Sequence, residues 1–201
     1  MELFYSWIGI HYIEVIATIL GIVGVIYEIK QHVLVWPLGI ITALLYIYVY
    51  FQARFYADML LQVYYVPISI YGWWFWIYGR KRETYKEEKV VPVKRAGKKL
   101  ILYLSLITIL GTFLMALFLK EFTDSPVPLG DGFTTAGGFV ATWMLARKII
   151  EHWLLWIIVD ATSMLLYIYK GLYPTTILFL VYTVMAFIGY FEWKKTLSVH
   201  Q

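Results

Sequence analysis

The sequence of 201 residues contains no cysteine and little charge. The absence of cysteine excludes a disulfide, a thiolate metal ligand and a cysteine nucleophile. Charged residues make up 15% of the chain, and a soluble domain has more, about 25%. Hydrophobic residues make up 61% and aromatic residues 19%, and the mean hydropathy is +0.70. This composition predicts a polytopic membrane protein and argues against a soluble globular enzyme.

Motifs for catalysis and for metal binding are also missing. The histidines at positions 11, 32, 152 and 200 form no i, i+4 pair. No zinc motif, phosphate-binding glycine loop or nucleophile–histidine–carboxylate pattern occurs. The seventh apolar run has no lysine before Lys194 at its end, which excludes a buried retinal Schiff base there. We therefore expect neither an enzyme nor a cofactor or metal site.

Seven stretches of the chain are apolar over roughly the length that crosses a bilayer. Such a helix needs about 20 residues, with a range of roughly 17–25. The stretches are residues 9–27, 33–51, 56–78, 100–119, 132–146, 152–170 and 174–193. The fifth is the weakest, because glycine and threonine dilute it, although small residues are common where membrane helices pack closely. We predict seven transmembrane helices.

The loop charges predict how these helices are oriented. Residues 79–99 contain nine lysines and arginines against three glutamates, and loops with such an excess stay in the cytoplasm. The next loop, 120–131, is net negative, which suits the outer face. We therefore expect the N-terminus outside and the C-terminus in the cytoplasm. Because the net charge of +4 is concentrated in one loop, we expect no nucleic-acid partner.

Three pairs of matching segments occur in the same order and indicate an internal repeat. Residues 32–36 resemble 152–156 at a spacing of 120, residues 44–48 are identical to 165–169 at 121, and positions 65, 72 and 76 match 182, 189 and 193 at 117. We predict an all-α membrane protein in a 3+1+3 arrangement. Its parts are a first three-helix repeat at 9–78, the cytoplasmic loop 79–99, a connecting helix at 100–119 and a second repeat at 131–193. Three helices plus one make the repeats parallel, and such transporters bind substrate near the midplane between repeats.

The sixth apolar run contains the strongest candidate site. Trp153, Trp156 and Asp160 are spaced i, i+3, i+7 and so share one helix face. A carboxylate at membrane depth is costly and usually functional, and indole faces attract cations. This face predicts a site for a flat, positively charged ligand. The alternative is that Asp160 is structural and accepts a hydrogen bond from Thr162, Ser163 or a neighbouring helix.

Polar and aromatic side chains on three other helices complete the predicted substrate site. They are Gln62, Tyr65 and Ser69 on the third helix, Trp36 and Thr42 on the second, and Tyr182 on the seventh. The Gln62 amide offers both a donor and an acceptor, which suits a carboxamide or a sugar hydroxyl, and its alternative role is a contact between helices. Trp74 and Trp76 lie near a helix end, and we predict that both are interfacial.

Three segments resemble the Pnu family of vitamin transporters, and they match its nicotinamide riboside branch best. They are residues 57–65 (ADMLLQVYY), 70–74 (IYGWW) and 147–156 (RKIIEHWLLW). The resemblance covers nearly the whole chain. It implies a fold related to the SWEET and SemiSWEET proteins, a homotrimer in the bacterial inner membrane, and facilitated diffusion by alternating access. It also implies that Trp153 and Trp156 line the central site and that Gln62 contacts the ligand; several members carry asparagine where this chain has Asp160.

These observations together predict a transporter that takes up nicotinamide riboside, a precursor of NAD. This small molecule joins a cationic pyridinium ring to a carboxamide and a ribose. The indoles would hold the ring, Asp160 would balance its charge, and Gln62 with tyrosine hydroxyls would bind the polar groups. Thiamine is also a flat cation, so a Pnu-type transporter of thiamine or another flat vitamin is one alternative. The other is a membrane receptor that binds its ligand without moving it.

Overall fold

The computed structural model describes residues 2–53, 56–79 and 91–198, and within these ranges seven helices are joined by short turns and by the extended segment 91–97. Residues 80–90, which form most of the predicted basic loop, lie outside the described residues. The seven helices are α1 Glu2–Ile29, α2 Val35–Ala53, α3 Tyr56–Tyr78, α4 Lys98–Phe122, α5 Pro128–Ala146, α6 His152–Tyr169 and α7 Tyr173–Ser198. Four segments are long and apolar enough to cross a membrane: Val35–Gln52, Lys98–Phe122, His152–Tyr169 and Thr175–Leu197.

The helix boundaries agree with prediction in the apolar centres and differ at the ends. α3 has the predicted bounds, whereas α1 begins at Glu2 instead of residue 9, and α4, α5 and α7 extend beyond their apolar runs. Hydropathy detects only the apolar part of a helix. Terminal turns stay helical with polar side chains, because their backbone hydrogen bonds do not depend on them.

Six helices form a ring, and α4 lies outside it. The neighbours around the ring are α1, α2, α3, α5, α6 and α7, and α7 packs against α1 to close it. α4 packs along α5 and exposes apolar side chains such as Leu110 and Leu114 on its other face. A wide exposed apolar surface of this kind suits contact with lipid or with another membrane protein.

The glycines of α5 explain why this helix looked weak in the sequence. A side chain at Gly132 would lie 2.7 Å from the carbonyl oxygen of Thr112, and one at Gly137 would lie 2.5 Å from Val159. The bare backbone at these positions lets α4 and α6 approach α5 closely. α5 also packs against α3. Its low hydropathy therefore reflects its central position and not a poor fit to the bundle.

The turn after α1 and the turn after α5 have the same backbone geometry. Gln31 and Lys148 both have a positive φ, of 54° and 52°, which is uncommon outside glycine. The amide after each of them, at 32 and at 149, donates to the carbonyl five residues earlier, over 2.9 and 3.0 Å. Gln31 and Lys148 are 117 positions apart.

The same spacing of 117 relates the surrounding helices. It separates the ends of α1 and α5 at 29 and 146, the starts of α2 and α6 at 35 and 152, and the starts of α3 and α7 at 56 and 173. In this register Trp36 corresponds to Trp153. The predicted spacing of 120, which matched Trp36 with Trp156, is therefore wrong, and so is the spacing of 121 for the LLYIY segments. The spacing of 117 for positions 65, 72 and 76 agrees with the structure.

Four buried tryptophans fill the end of the bundle where α1 ends and α2 begins, which we call the first end. Trp36 packs edge-on against Trp76, with ring centroids 5.3 Å apart and an interplanar angle of 89°. Trp153 packs in the same way against Trp193, at 5.8 Å and 85°. Trp76 and Trp193 are 6.3 Å apart and join the two pairs. These residues belong to one hydrophobic cluster.

The prediction that Trp76 is interfacial is therefore wrong, because only 4% of its surface is exposed. Trp74, with 56% of its surface exposed, agrees with the prediction. The two residues differ because Trp76 lies on the face of α3 that meets Trp36 and Trp193. Spacing from a helix end does not indicate which face of the helix a tryptophan occupies.

The segment before α4 supports the turn before α6. Lys94 pairs with this turn through two backbone bonds of 3.0 Å, donating to the carbonyl of Lys148 and accepting from the amide of Ile150. The amide of Ala96 donates to a carboxylate oxygen of Glu151 over 2.9 Å. Residues 94–96 thus hold the backbone that leads directly into His152 and Trp153.

Candidate functional site

A cavity of about 480 Å³ lies inside the helix ring, within the range of roughly 300–1,000 Å³ typical of small-molecule sites. All nine predicted site residues line it: Trp36, Thr42, Gln62, Tyr65, Ser69, Trp153, Trp156, Asp160 and Tyr182. They come from α2, α3, α6 and α7. The sequence patterns on separate helices therefore meet in one space.

α6 contributes the two predicted indoles and the carboxylate. Trp153 is 1% exposed, and its buried indole N–H has no hydrogen-bond partner in the described part of the chain. Asp160 is 6% exposed. The Thr162 hydroxyl donates to the carbonyl of Ile158 over 2.8 Å, so Thr162 is not the donor to Asp160 that the structural alternative proposed. Within the described ranges, no hydrogen bond to the Asp160 carboxylate is found, and a buried carboxylate in this position calls for a partner inside the cavity.

α3 presents its polar stripe to the same cavity. Ser69 is buried where α3 packs on α2, and a side chain at Gly39 would lie 3.4 Å from its hydroxyl oxygen. The hydroxyl of Tyr65 lies 3.1 Å from where a side chain at Gly138 would begin, so Tyr65 reaches α5. Gln62 lines the cavity about one turn before Tyr65 on α3. The stripe therefore lines the same cavity as the indoles of α6.

Tyr182, Thr42 and Trp36 complete the lining. The hydroxyl of Tyr182 lies 2.7 Å from where a side chain at Gly21 would begin, so this tyrosine reaches from α7 to α1. The Thr42 hydroxyl and the Trp36 indole N–H are buried, and neither has a hydrogen-bond partner among the described residues. Both lie at the cavity wall and are available to bind a ligand or water.

The charged side chains among the described residues of the lining are all acidic. The lining contains four acidic side chains: Glu28, Asp58, Asp131 and Asp160. None of the described residues that line the cavity is lysine, arginine or histidine. Two of the acids have basic partners, since Asp131 lies 2.8 Å from the ammonium of Lys170 and Glu28 lies 3.1 Å from the imidazole of His152. A cavity lined in this way favours a cation over an anion.

Sequence reasoning missed Glu28 and the contribution of Asp58 and Asp131. Glu28 stands at the end of the first apolar run beside Lys30, where a charged residue is usually interfacial. It is instead 8% exposed, because its face of α1 points to His152 on α6. No pattern along α1 alone predicts that contact. In the described part of the chain, no cluster of three acidic or histidine side chains could hold a metal ion.

Comparison with known proteins connects this cavity to a transporter family. A family model described as "nicotinamide mononucleotide transporter" matches residues 11–195. The chain is 24% identical to the nicotinamide riboside transporter PnuC of Escherichia coli K12, over 90% of this chain and 84% of that protein. It is 21% identical to the riboflavin/roseoflavin transporter RibM of Streptomyces davaonensis, over 90% of this chain and 83% of that protein.

A solved structure supports the fold. It is described as the crystal structure of the vitamin B3 transporter PnuC, and it matches with a TM-score of 0.79 at 23% identity. The match covers 100% of this chain and 88% of that one. The predicted resemblance to the Pnu transporters is confirmed, and so is the prediction that the protein is not an enzyme. The chain belongs to the nicotinamide mononucleotide transporter family of membrane transporters.

Proposed function

We propose that this protein transports nicotinamide riboside across the membrane and so supplies cells with an NAD precursor. The observation that carries the proposal is the lining of the cavity, which combines two indoles on α6 with acidic side chains and has no cation among its described residues. Nicotinamide riboside is a flat cation without phosphate. Indole faces attract such a ring, with about 2 kcal/mol for a desolvated cation–π contact.

The same lining distinguishes the riboside from the mononucleotide in the family description. Nicotinamide mononucleotide carries a phosphate, and Coulomb repulsion from the carboxylates of Asp58 and Asp160 would oppose its entry. Proteins bind phosphate with arginine, lysine or helix N-termini. The described lining offers neither arginine nor lysine. The relatives named as nicotinamide riboside transporters agree with this preference.

Different residues of the cavity bind different parts of the ligand. Trp153 and Trp156 hold the pyridinium ring, and Asp160 on the same helix balances its charge. Gln62 offers the donor and acceptor that a carboxamide needs, and the hydroxyls of Tyr65 and Tyr182 bind the ribose. The remaining predicted contacts, Trp36, Thr42 and Ser69, close the wall around them. This assignment rests on the shared cavity and on the absence of a protein partner for Asp160 in the described residues.

We infer that the fold is a 3+1+3 arrangement of seven transmembrane helices in two parallel three-helix repeats, related to the SWEET and SemiSWEET proteins. The constant spacing of 117 between α1–α3 and α5–α7 supports it, as does the position of α4 outside the ring. The repeats are 9–78 and 131–193, with 79–99 and 100–119 between them. Substrate then crosses by alternating access as the repeats move about the cavity.

The basic loop 79–99 supports a cytoplasmic first end, an outer N-terminus and a cytoplasmic C-terminus in the bacterial inner membrane. The family resemblance supports a homotrimer and facilitated diffusion down the substrate gradient. The exposed apolar face of α4 offers an extensive surface for contact with lipid and with neighbouring subunits.

Titration of the purified protein with nicotinamide riboside, nicotinamide mononucleotide, thiamine and riboflavin tests the substrate. We expect saturable binding of the riboside and no binding of the mononucleotide at the same concentrations. Tighter binding of thiamine or riboflavin would transfer the assignment to that vitamin. Counterflow of labelled riboside in proteoliposomes then tests transport, and binding without counterflow would identify a receptor.

A further inference from the structure

Glu28 lines the substrate cavity at its cytoplasmic end and has no role in the assignment above. It lies in the last turn of α1, and its carboxylate oxygen is 3.1 Å from Nε2 of His152 at the start of α6. Both residues are buried. A carboxylate that is accessible from a transport cavity and is also bound to a second helix can respond to what the cavity contains.

The proton positions of the pair follow from its contacts. Nδ1 of His152 lies 2.7 Å from the carbonyl oxygen of Ile149, and since a carbonyl only accepts, Nδ1 carries a hydrogen. The contact between Nε2 and the Glu28 carboxylate requires one further proton between them. The pair is therefore neutral overall, as imidazolium with carboxylate or as imidazole with carboxylic acid. A cationic ligand and the imidazolium would compete for the same carboxylate.

The Glu28–His152 pair belongs to a set of polar contacts that join α1 to the second half of the chain at the cytoplasmic end. The Trp193 indole donates to the Glu28 carbonyl over 3.0 Å. Gln31, in the turn after α1, donates to the Thr196 hydroxyl over 3.2 Å and accepts from the Lys148 ammonium over 3.4 Å. These contacts hold the end of α1 against α7 and against the start of α6.

The corresponding positions in the other half of the ring are apolar. In the 117-residue register, Glu28 corresponds to Leu145 and His152 corresponds to Val35. Both of these residues are buried in the hydrophobic cluster. Of the two places where the repeats meet, α1 with α7 and α3 with α5, the α1 side alone carries this acid–histidine pair among the described residues. A cation in the cavity can therefore weaken one interface and leave the other unchanged.

A ligand shifts a conformational equilibrium only if it binds the two states with different affinities. A contact with Asp160 alone does not provide this difference, because Asp160 holds no second helix among the described residues. Resting on the function proposed above, we propose that Glu28 is a second, exit-side contact for the positive charge of the substrate. By taking the Glu28 carboxylate from His152, the substrate releases α1 from α6 and opens the cytoplasmic end.

The test compares the cation with a neutral analogue of the same shape in Glu28→Gln. The probes are nicotinamide riboside and its uncharged 1,4-dihydro form, measured by counterflow in proteoliposomes, with riboside binding measured on purified protein. We expect riboside counterflow to fall at least about tenfold relative to the dihydro form, while riboside affinity stays within about threefold. The amide of glutamine can either accept a hydrogen bond from Nε2 of His152 or donate one to it, so the change removes charge and keeps a hydrogen bond.

Glu192→Gln is the matched control, because Glu192 lies on α7 near the same end, is exposed and pairs with Lys195. It should leave both counterflow rates unchanged. An equal loss for cation and neutral analogue in Glu28→Gln, or no loss for either, would overturn the proposal. A failure of the wild-type protein to bind the riboside would instead overturn the proposed function.

His152→Gln keeps the proposal testable if Glu28→Gln does not fold. Its amide still donates to Glu28 but carries no competing charge, so riboside counterflow should equal or exceed the wild-type rate. A tenfold loss of riboside counterflow in His152→Gln would show that the pair is only structural, and would overturn the inference.

Discussion

Replacing Gly189 by alanine should displace Trp153 and weaken substrate binding without removing any group from the cavity. The added methyl carbon would lie 2.5 Å from the Cη2 and Cζ2 atoms of Trp153. Non-bonded carbon atoms prefer a separation of about 3.5–4.0 Å, so the indole must move by about 1 Å. His152 and Trp193 pack against the same indole, with ring centroids at 4.6 and 5.8 Å. The free direction for the ring is therefore towards the cavity.

The expected magnitude follows from this displacement. Overpacking of a well-packed interior typically costs about 1–3 kcal/mol, and movement of the ring into the cavity relieves part of it. In the proposed site, a displaced Trp153 ring would lose its face-on contact with the pyridinium. Loss of a cation–π contact of about 1–2 kcal/mol lowers affinity by roughly tenfold. Calorimetric titration with nicotinamide riboside measures the affinity, and thermal unfolding in detergent measures the cost to the fold.

Gly24→Ala is the matched control for this prediction. Gly24 is also a helical, cavity-lining glycine, but a side chain there would meet nothing within 4 Å. Alanine should raise helix stability slightly, by up to about 1 kcal/mol, and change affinity by less than about threefold. Wild-type affinity in Gly189→Ala would refute the reasoning that Gly189 sets the position of Trp153, and an equal loss in both variants would show that any added methyl group in the cavity interferes.

Three further predictions test the charge, the ring contact and a buried lysine. Asp160→Asn should weaken riboside binding about tenfold or more, since contacts to a charged group are worth about 1.5–3 kcal/mol, and should change binding of the dihydro form much less; equal losses would make Asp160 structural. Trp156→Ala should abolish riboside binding and leave the elution volume in size-exclusion chromatography equal to that of the wild type; unchanged affinity would remove Trp156 from the site. Burial lowers the pKa of Lys148 from 10.5 to about 8. The folded state therefore binds the ammonium proton of Lys148 less tightly than the unfolded chain does. As a result, the free energy of unfolding should rise as the pH increases from about 8 towards 10.5. Lys148→Met should be more stable than wild type near pH 7 and lack this rise in thermal unfolding; a rise that persists in the variant would assign it to another group.

The sequence predicted the helices, and it selected residues that line one cavity, because both depend on patterns along a single helix. The i, i+3, i+7 spacing of Trp153, Trp156 and Asp160 needs no knowledge of the neighbouring helices, and neither does the stripe at Gln62 and Tyr65. Each pattern identifies one face, and in an all-helical bundle the polar faces must meet, since lipid does not solvate them. All nine predicted residues accordingly line one cavity.

The failures share a different cause. Trp76 and Glu28 lie near helix ends, where a tryptophan or a charge is usually interfacial. Each is buried by a partner more than 30 positions away in the chain, Trp36 and His152 respectively. The repeat register failed similarly, because LLYIY recurs by composition in a chain rich in leucine and tyrosine, whereas the backbone turns at Gln31 and Lys148 fix the spacing at 117. Contacts between helices decide these points, and a pattern along one helix does not contain them.

The 117-residue register also separates what the two halves share from what they do not. They share shape: Trp36 packs against Gly72 and Trp153 packs against Gly189 in the same way. They differ in polarity, since Asp160 corresponds to Ala43, and Gln62 corresponds to Phe179. The carboxylate therefore stands in one half and the amide in the other, across a cavity with similar walls. A ligand with a positive ring at one end and neutral polar groups at the other can satisfy both only in one orientation. If the proposed site is right, this loss of symmetry in charge, within a nearly symmetric shape, is what selects an asymmetric substrate.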